Sequence, residues 1–253
     1  MTENDLLEVA VTAARAAGDV LVERYEHAAR GVVTKSSPTD LVSEADLAAE
    51  RAIRDVLAAA RPDDAILGEE GDDVAGSSGL RWIIDPLDGT VNYLFGIPQW
   101  CVSVACEGRV GVIFDPLHDE LFTVRVGEEA LLDAEPMRGP EPRELGTAMV
   151  STGFGYSAEV RAAQAAVVAR LLPQVRDIRR FGSAALDLAW TAAGRYDAFY
   201  EYGLNAWDRA AGEMLCTAVG LQVRVLEPLP GTGPGILVAR AELIDELFAI
   251  VSG

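Results

Sequence analysis

Two groups of acidic residues follow short apolar segments of the chain, and their side chains could bind a metal ion. Glu69 and Glu70 come after the apolar run 65–67, and Asp85 comes after the run 82–84. Runs of this length are typical of strands, and strand ends lie at the rim of a sheet, where loops build ligand sites on a rigid base. The sequence therefore predicts a group of carboxylates at one edge of a sheet.

The second group, Asp85-Pro86-Leu87-Asp88, favours a hard divalent cation. Pro86 fixes the backbone after Asp85, so we expect the strand to end there in a tight turn. Within this turn Asp85 and Asp88 can face the same point, and the carbonyl of Leu87 can join them. Oxygen donors of this kind suit Mg²⁺, which prefers octahedral geometry and keeps several waters that a substrate can displace.

The next two residues, Gly89 and Thr90, indicate an anion site beside the cation. Backbone N–H groups at a glycine and at a helix N-terminus can approach a phosphate closely. A simple turn is the alternative, because Asp-Pro and Asp-Gly are common turn dipeptides. The segment 115–117 repeats Asp-Pro-Leu between two predicted strands, lacks Gly-Thr, and is interpreted as a hairpin turn. The apolar strand, paired acids and Gly-Thr of 82–90 together favour a phosphate-ester site.

The composition narrows the classes of function. The 253 residues include 40 acidic and 21 basic ones, and the net charge of −19 disfavours contact with a nucleic acid. No apolar stretch is long enough to span a membrane and the N-terminus lacks a signal-peptide pattern, so we expect a cytoplasmic protein. Two distant histidines, His27 and His118, disfavour histidine-based catalysis. Three cysteines without Cys-x-x-Cys spacing disfavour a disulfide framework or a cysteine zinc site.

The hydrophobic periodicity predicts two helices and then a series of strands. Apolar residues at three- and four-residue steps from Leu6 to Leu21 indicate a first helix that ends before Gly31. A second helix is predicted from Ser43 to about Ala60. The strands predicted after it are 65–67, 82–84, 100–106, 110–114 and 121–124.

The segment from Asp133 to Gly146 is rich in proline, glycine and charge, and we interpret it as a boundary between two lobes. Residues 1–140 would form an α+β lobe, and residues 141–253 an alternating α/β lobe. In the second lobe, strands are predicted at 148–152, 177–181, 196–200, 221–226 and 235–238, and helices at 158–172, 184–193, 207–219 and 240–251. The predicted fold class is α+β or α/β, with helices covering sheets in layers.

Four segments resemble, in order, motifs of the inositol monophosphatase family, which consists of Mg²⁺-dependent, lithium-sensitive phosphatases. Segment 82–93, WIIDPLDGTVNY, resembles the signature of that family, and GEEG at 68–71 resembles its upstream glutamate motif. WDRAAG at 207–212 and the segment 34–46 resemble its C-terminal and N-terminal motifs. The resemblance covers nearly the whole chain, and it implies a layered αβαβα sandwich of the inositol monophosphatase and sugar phosphatase type.

The resemblance implies two or three Mg²⁺ ions in one site. Glu69, Asp85 and the carbonyl of Leu87 would hold one ion. Asp85, Asp88 and Asp208 would hold a second, so that the first lobe supplies most of the ligands and the second lobe supplies Asp208. Paired ions of this kind clamp the attacking and leaving oxygens of an in-line displacement. The alternative for Asp208 is a first-turn acid that stabilises its own helix.

The resemblance also implies a set of catalytic residues, Asp46, Thr90 and Glu69, around a metal-activated water. Asp46 and Thr90 match the positions that orient and deprotonate this water. The alternative for Asp46 is a helix-capping pair with Ser43, three residues earlier. Glu70 is either a further ligand or a solvated neighbour of Glu69.

The same resemblance assigns substrate contacts. Gly89 and Thr90 would contact the phosphate, and the remainder of the substrate would meet Gly182, Ser183, Ala184 and Glu201. A carboxylate that accepts hydrogen bonds from vicinal hydroxyls, as Glu201 would, suits a polyol. The alternative for 182–184 is a helix start built from small residues.

The predicted activity is Mg²⁺-dependent hydrolysis of a small phosphate monoester. The expected reaction converts myo-inositol monophosphate to myo-inositol and phosphate. Fructose 1,6-bisphosphate, histidinol phosphate and 3′-phosphoadenosine 5′-phosphate are alternative substrates within the superfamily. A metal-binding regulatory or interaction protein is the alternative from a different class. We expect a homodimer, with neither nucleic acid nor membrane as a partner.

Overall fold

The computed structural model describes residues 3–25, 33–34, 41–42 and 44–253 of the chain. Three sequence predictions fall outside these residues: the end of the first helix before Gly31, the cap formed by Ser43, and the setting of His27.

Within the described residues the chain forms seven α-helices. They are α1 (Glu3–Tyr25), α2 (Glu44–Ala60), α3 (Thr90–Leu94), α4 (Ala158–Leu171), α5 (Ala184–Ala192), α6 (Ala206–Ala218) and α7 (Ala241–Val251). Two single 3₁₀ turns occupy Leu145–Thr147 and Leu172–Gln174. Helices α4 to α7 lie where they were predicted. Helices α4, α6 and α7 each bury one face, whereas α5 is buried on nearly all sides.

The described strands are β1 (Val33–Thr34), β2 (Leu41–Val42), β3 (Ala65–Gly68), β4 (Arg81–Asp88), β5 (Cys101–Cys106), β6 (Val110–Asp115), β7 (Glu120–Arg125), β8 (Leu131–Leu132), β9 (Glu135–Pro136), β10 (Met149–Thr152), β11 (Asp177–Arg179), β12 (Ala198–Tyr202), β13 (Gln222–Leu226) and β14 (Gly235–Ala239). Ten of the described strands follow the predicted order, and the short strands β1, β2, β8 and β9 were not predicted. The pairs β5–β6 and β6–β7 are antiparallel hairpins. The interpretation of 115–117 as a hairpin turn is therefore confirmed.

The described strands form two large sheets and one small one. The first large sheet has the order β3-β4-β5-β6-β7-β8-β9, and the second has the order β11-β10-β12-β14-β13. In the second sheet β10, β11 and β12 run parallel, and β14 is antiparallel to both of its neighbours. Strands β1 and β2 pair with each other.

The prediction that Pro86 ends the strand after Asp85 is wrong. Strand β4 continues to Asp88, and its register against β5 shifts between the pairs Asp85–Ser103 and Asp88–Cys101. One extra residue on β4 therefore forms a bulge, and a proline fits there because a bulge leaves one position out of the hydrogen-bond ladder. Because of the bulge, the side chains of Asp85 and Asp88 do not follow the regular alternation of side chains along β4.

Three apolar cores separate the helices and sheets into five layers. Helices α1 and α2 pack on the outer face of the first sheet, and the buried alanines of α1 let these elements approach closely. Helices α5 and α6 lie between the two sheets, where Leu188 and Leu215 meet Phe122 and Phe199. Helices α4 and α7 cover the outer face of the second sheet. The order is thus α, β, α, β, α, which confirms the predicted layered sandwich.

Strand β12 shows how the layers place a functional side chain. Phe199 belongs to the core between the sheets, while Tyr200 and Tyr202 belong to the core under α4 and α7. Since residues two apart on a strand share a face, Glu201 points the same way as Phe199, towards α5. Both sheets contribute to this central core, and the division into lobes 1–140 and 141–253 stays a prediction. Among the described helices none has both the length and the apolar character needed to cross a bilayer.

Candidate metal and phosphate site

A cavity of about 950 Å³ opens where β4, β10 and β12 end and where α3, α5 and α6 begin. Its lining includes most residues that the sequence singled out: Glu69, Asp85, Leu87, Asp88, Gly89, Thr90, Gly182, Ala184, Glu201 and Asp208. Asp46 and Ser183 do not line it, but each is hydrogen-bonded to a residue that does. The fold therefore brings the predicted residues of both halves of the chain to one place.

Asp85 is the most deeply buried of the candidate carboxylate ligands, with 1% of its surface exposed. Its Oδ1 accepts the backbone N–H of Leu87 at 3.0 Å, which fixes the local turn. Burial raises the pKa of Asp85 well above its ordinary value, and the neighbouring charges of Glu69, Asp88 and Asp208 raise it further. The negative charges of these three neighbours thus disfavour ionisation of Asp85.

Asp88 is held by hydrogen bonds from the start of α5. Its Oδ2 accepts hydrogen bonds from Ser183 Oγ at 2.7 Å and from the backbone N–H of Ala185 at 2.6 Å. Burial raises the pKa of Asp88 to about 6, although these two hydrogen bonds favour its charged form. Ser183 is also the N-cap of α5, because its Oγ accepts from the N–H of Leu186. The side chain of Ser183 is thus hydrogen-bonded both to Asp88 and to the backbone of α5. Its predicted contact with substrate stays a prediction.

Replacement of Ser183 by alanine should lower the affinity for divalent cations about 10- to 100-fold, as loss of a residue that orients a ligand usually does. Titration of Mg²⁺ by calorimetry would measure the change. Ser157→Ala is the matched control, since Ser157 caps α4 in the same way, by accepting from Val160 N–H at 3.1 Å. Both variants should lose about 1 kcal/mol of stability. Equal Mg²⁺ affinities in the two variants would contradict the positioning role of Ser183.

Asp46 and Thr90 meet although they lie in different helices. The hydroxyl of Thr90, at the start of α3, can donate to Asp46 Oδ1 on α2 at 3.0 Å or to the carbonyl of Leu87 at 3.1 Å. Both side chains are buried, at 0% and 8% exposure. The predicted pair is therefore in direct contact beside the metal-binding candidates.

Gly89 turns the chain from β4 into α3. Its φ of 105° lies in the left-handed region, and a Cβ there would lie 2.9 Å from the carbonyl oxygen of Gln99. Only glycine fits this position without strain. The turn leaves the first N–H groups of α3 beside the cavity, and such groups have no partner within the helix itself.

Asp208 lies in the first turn of α6 and lines the cavity. Its Oδ2 accepts the backbone N–H of Asn205 at 2.6 Å, so the helix-stabilising alternative is confirmed. Partial burial raises the pKa of Asp208 well above its ordinary value, and the charge of Asp88 raises it further. The same carboxylate therefore caps its helix and faces the other candidate ligands across the cavity.

Comparison with known proteins decides the family. The profile of the inositol monophosphatase family matches residues 3–247. The chain belongs to the inositol monophosphatase family. A protein named inositol-1-monophosphatase SuhB from Mycobacterium tuberculosis is 42% identical over 233 residues, which cover 86% of this chain and 80% of that protein. A protein named Nus factor SuhB from Xylella fastidiosa is 45% identical over 219 residues, covering 85% of this chain and 79% of that protein.

Solved structures of family members share the fold. The crystal structure of the extragenic suppressor protein suhB from Bartonella henselae superposes with a TM-score of 0.90 at 35% identity, covering 97% of this chain and 98% of that one. This agreement extends over the seven-stranded and five-stranded sheets together, and it confirms the fold class expected from the motifs.

The family implies Mg²⁺, and the donors lining the cavity fit that ion. The described residues contain no ready-made cluster of three or more histidine, cysteine or acidic side chains that would hold an ion alone. The lining nevertheless offers carboxylates and the Leu87 carbonyl, and neither thiol nor imidazole. Oxygen donors with room for water suit Mg²⁺, which is usually held by one or two carboxylates and completed by waters and phosphate oxygens. Bound cations would also relieve the repulsion between Asp85, Asp88 and Asp208.

Arg180 is a residue of the cavity that was not predicted from the sequence. Arg180 follows β11 and lines the cavity. A Cβ on Gly182, whose φ is 92°, would lie 2.5 Å from Arg180 Nη1, so the glycine leaves room for the guanidinium. Burial and the charge of Asp88 raise the pKa of Glu201 and the charge of Arg180 lowers it, with a net value of about 8. Arg176, Arg179 and Arg180 lie close together in the sequence, but the sequence does not show that Arg180 lies beside an acidic cavity.

Two further residues near Glu201 were also missed. Gly153 follows β10, and a Cβ there would lie 2.1 Å from Glu201 Oε2, so only glycine admits that carboxylate. Asp187 on α5 is 1% exposed, and neither of its carboxylate oxygens has a hydrogen-bond partner among the described residues. Burial raises the pKa of Asp187 well above its ordinary value, and the charge of Glu201 raises it further. No local sequence pattern marks either residue.

Proposed function

We propose that the chain is a Mg²⁺-dependent phosphatase of small phosphate monoesters, with myo-inositol monophosphate as its best substrate. The observation that carries this proposal is the convergence of Glu69, Asp85, Asp88 and Asp208 in one cavity with Glu201. The mycobacterial relative named inositol-1-monophosphatase supports the choice of substrate.

The candidate ligands divide into two overlapping groups. Glu69, Asp85 and the carbonyl of Leu87 would hold one Mg²⁺. Asp85, Asp88 and Asp208 would hold a second, with Asp85 shared. When bound, the ions would supply Lewis-acid chemistry that activates water as a nucleophile and neutralises charge on the phosphate. The carboxylates of this chain would fix the positions of the ions, and Ser183 would fix the orientation of Asp88.

The residues around Thr90 would guide the attacking water. When Thr90 Oγ donates to Asp46, the same oxygen can accept a hydrogen bond from water, and the pair can take up its proton. The water oxygen forms a bond to phosphorus while the ester P–O bond breaks, and a proton ends on the leaving alcohol oxygen. The N–H groups that follow Gly89 would donate to the phosphate oxygens.

Glu201 would provide selectivity for a polyol. It lies near the end of β12 and lines the same cavity as the residues of 85–90, and its carboxylate can accept hydrogen bonds from vicinal hydroxyls. Fructose 1,6-bisphosphate, histidinol phosphate and 3′-phosphoadenosine 5′-phosphate remain alternative substrates. The segment Val91-Asn92-Tyr93 resembles the inositol branch and favours the inositol ester.

The test is phosphate release from inositol 1-phosphate with and without Mg²⁺. We expect turnover that depends on Mg²⁺. Activity confined to one of the three alternative esters would change the substrate and keep the reaction. Absence of release from all four esters would contradict the proposal that the chain is a phosphatase.

At about pH 9, above the raised pKa of about 8 of the Glu201 carboxyl, replacement of Glu201 by glutamine should raise the KM for inositol 1-phosphate about tenfold, as expected for loss of a charged hydrogen-bond acceptor. p-Nitrophenyl phosphate has no vicinal hydroxyls, so its KM should change less than about twofold. Parallel steady-state kinetics on both esters would measure the difference. A similar change for both esters would show that Glu201 acts on the phosphate end of the site rather than on the polyol.

A homodimer would cover an exposed apolar surface beside the cavity. Phe95 is 74% exposed and Ile97 is 46% exposed. The side chain of Asn92 donates to the carbonyls of Gln99 and Phe181, which holds this loop next to Phe181. Contiguous apolar side chains on a surface usually mark an interface. Light scattering should give twice the monomer mass, and a Phe95→Ser variant should dissociate; a monomeric parent protein would contradict the dimer.

A regulatory interaction is the second candidate, and similarity to proteins named Nus factor SuhB supports it. Such a role needs an intact fold but no turnover. A chromosomal Asp85→Asn replacement in the source organism separates the two candidates, because it should abolish hydrolysis and leave the surface unchanged. A phenotype equal to that of the deletion would favour the enzyme, and the absence of a phenotype would favour the interaction.

A further inference from the structure

A second, smaller pocket of about 420 Å³ has a net charge opposite in sign to that of the whole chain. It is lined by Arg143, Thr147, Met149, Arg176, Gly194, Arg195 and Asp197, and we call it the arginine pocket. Three arginines face one aspartate here, a formal charge of +2, in a chain whose net charge is −19. Even with Glu120, the partner of Arg195, included, the positive charges outnumber the negative ones.

The arginine pocket lies at the opposite end of the second sheet from the catalytic cavity. Met149 begins β10, Arg176 precedes β11 and Asp197 precedes β12. These three strands are parallel, and at their other ends Gly153, Arg180 and Glu201 line the large cavity. Each strand therefore runs from the pocket to the cavity over four residues, or about 13 Å. The pocket is a separate site.

The guanidinium groups of the pocket are held in place by the protein. Arg195 makes a two-pronged ion pair with Glu120 on β7, and its Cζ lies 4.9 Å from the ring centroid of Trp190. Arg143 Nε lies 2.9 Å from Asp197 Oδ1, while Asp197 Oδ2 accepts the N–H of Met149 at 2.7 Å. Such contacts reduce the loss of side-chain freedom when a ligand binds.

Among the three arginines of the arginine pocket, Arg176 is the one without a carboxylate partner in the part of the chain that the structure describes. Its Nε donates to the carbonyl of Thr147 at 3.1 Å, which anchors the side chain. Within the described ranges it has no carboxylate partner, unlike Arg143 and Arg195. An anchored guanidinium without a counter-charge presents its terminal N–H groups as a planar fork, the geometry that binds phosphate-type oxyanions in a two-pronged manner.

We propose that the arginine pocket binds a dianionic, phosphate-type oxyanion, with Arg176 and Arg143 as its main ligands. The formal charge of the lining matches a dianion. The position of the site, at the far end of the three strands that carry Gly153, Arg180 and Glu201, makes it independent of the catalytic metals. This proposal does not rest on the phosphatase activity.

Sulfate is a suitable probe, because it is a dianion at neutral pH and can be added to protein freed of metals on a chelating resin. Amide and arginine Nε shifts of the ¹⁵N-labelled protein would be followed as sulfate replaces chloride at constant ionic strength. We expect saturable shifts centred on Thr147, Gly194 and Arg176. Shifts that never saturate, or that spread evenly over surface arginines, would overturn the proposal.

Two variants and one control make the test specific. Arg176→Gln and Arg143→Gln should each raise the Kd for sulfate about tenfold, as expected for loss of charge-assisted hydrogen bonds. Arg81→Gln is the control, because the side chains of Arg81 and Arg143 are both 49% exposed and each pairs with one carboxylate. The control should bind sulfate like the parent protein. Unchanged binding by both pocket variants, or an equal loss in Arg81→Gln, would overturn the proposal.

Discussion

Removal of divalent cations should make the protein progressively less stable as the pH rises from about 4 to 8, and Mg²⁺ should restore the lost stability. The reason lies in the carboxylates of the large cavity. The pKa values of Asp85, Asp88 and Asp208 are raised in the folded protein, to about 6 in the case of Asp88. The pKa of Glu201 is raised to about 8.

The direction of this pH dependence follows from proton binding. A carboxyl group whose pKa is higher in the folded state holds its proton more tightly there than in the unfolded chain. Its contribution to stability is complete below the unfolded pKa of about 4 and is lost as the pH rises through the folded pKa. The four groups act in the same direction, so the metal-free protein should be most stable in mild acid.

Mg²⁺ should reverse the trend because it binds the deprotonated carboxylates. A ligand at a hundredfold excess over its Kd stabilises a protein by about 2.7 kcal/mol, which corresponds to a rise of roughly 5–10 °C in Tm for a chain of this size. Thermal unfolding at several pH values, with and without Mg²⁺, would measure both effects. Identical Tm values with and without saturating Mg²⁺ at pH 8 would contradict the metal site.

Asp187→Asn provides a control that separates burial from metal binding. Asp187 is buried without a hydrogen-bond partner among the described residues, and it does not line the cavity. Its replacement by a neutral side chain should raise stability at neutral pH to a similar extent with and without Mg²⁺. If Mg²⁺ instead no longer stabilised this variant, the pH dependence of stability could not be assigned to the four cavity carboxylates with raised pKa values, which are Asp85, Asp88, Glu201 and Asp208.

Asp85→Asn should lower kcat/KM for inositol 1-phosphate about a thousandfold or more. Asp85 is the ligand shared by both proposed ions, and metal catalysis supplies several kcal/mol of transition-state stabilisation, at tenfold for each 1.36 kcal/mol. The fold should survive, because the asparagine Oδ1 can still accept the N–H of Leu87. Steady-state kinetics together with thermal unfolding would separate loss of activity from loss of structure.

Asp115→Asn is the matched control within the same chain. Asp115 also begins an Asp-Pro-Leu segment, is also 1% exposed, and accepts the N–H of Leu117 at 3.0 Å, as Asp85 accepts that of Leu87. It does not line the cavity. We expect Asp115→Asn to lose stability, because Asp115 also contacts His118 Nδ1 at 2.8 Å, and to keep its activity. Comparable losses of activity in both variants would assign the effect to the turn rather than to the metal site.

These two Asp-Pro-Leu segments show what local sequence determines and what it leaves open. Both form the same hydrogen bond from the third residue to the aspartate, because that bond closes within three residues. Only the segment followed by Gly89 and Thr90 reaches the cavity. The sequence distinguished the two through those following residues, and the structure agrees with that distinction.

Helix and strand positions were predictable for the same reason. Periodicity marks the faces that α4, α6 and α7 bury, since each turn of a helix is closed by bonds between near neighbours. The path of β4 was not predictable, because the bulge that carries it past Pro86 depends on pairing with β5. A proline that usually ends a strand is accepted where a neighbouring strand absorbs the extra residue.

The candidate ligands were identified by the sequence, but the way they are held was decided by the tertiary structure. Thr90 contacts Asp46 across 44 positions, and Asp88 contacts Ser183 across 95. Arg180 and Gly153 reach the cavity only because β10, β11 and β12 end at the same edge of the sheet. Residue types and local spacing specify what a segment can bind and how it folds locally. Which segments meet depends on how the layers pack, because the apolar cores, and not the polar residues of the site, determine that arrangement.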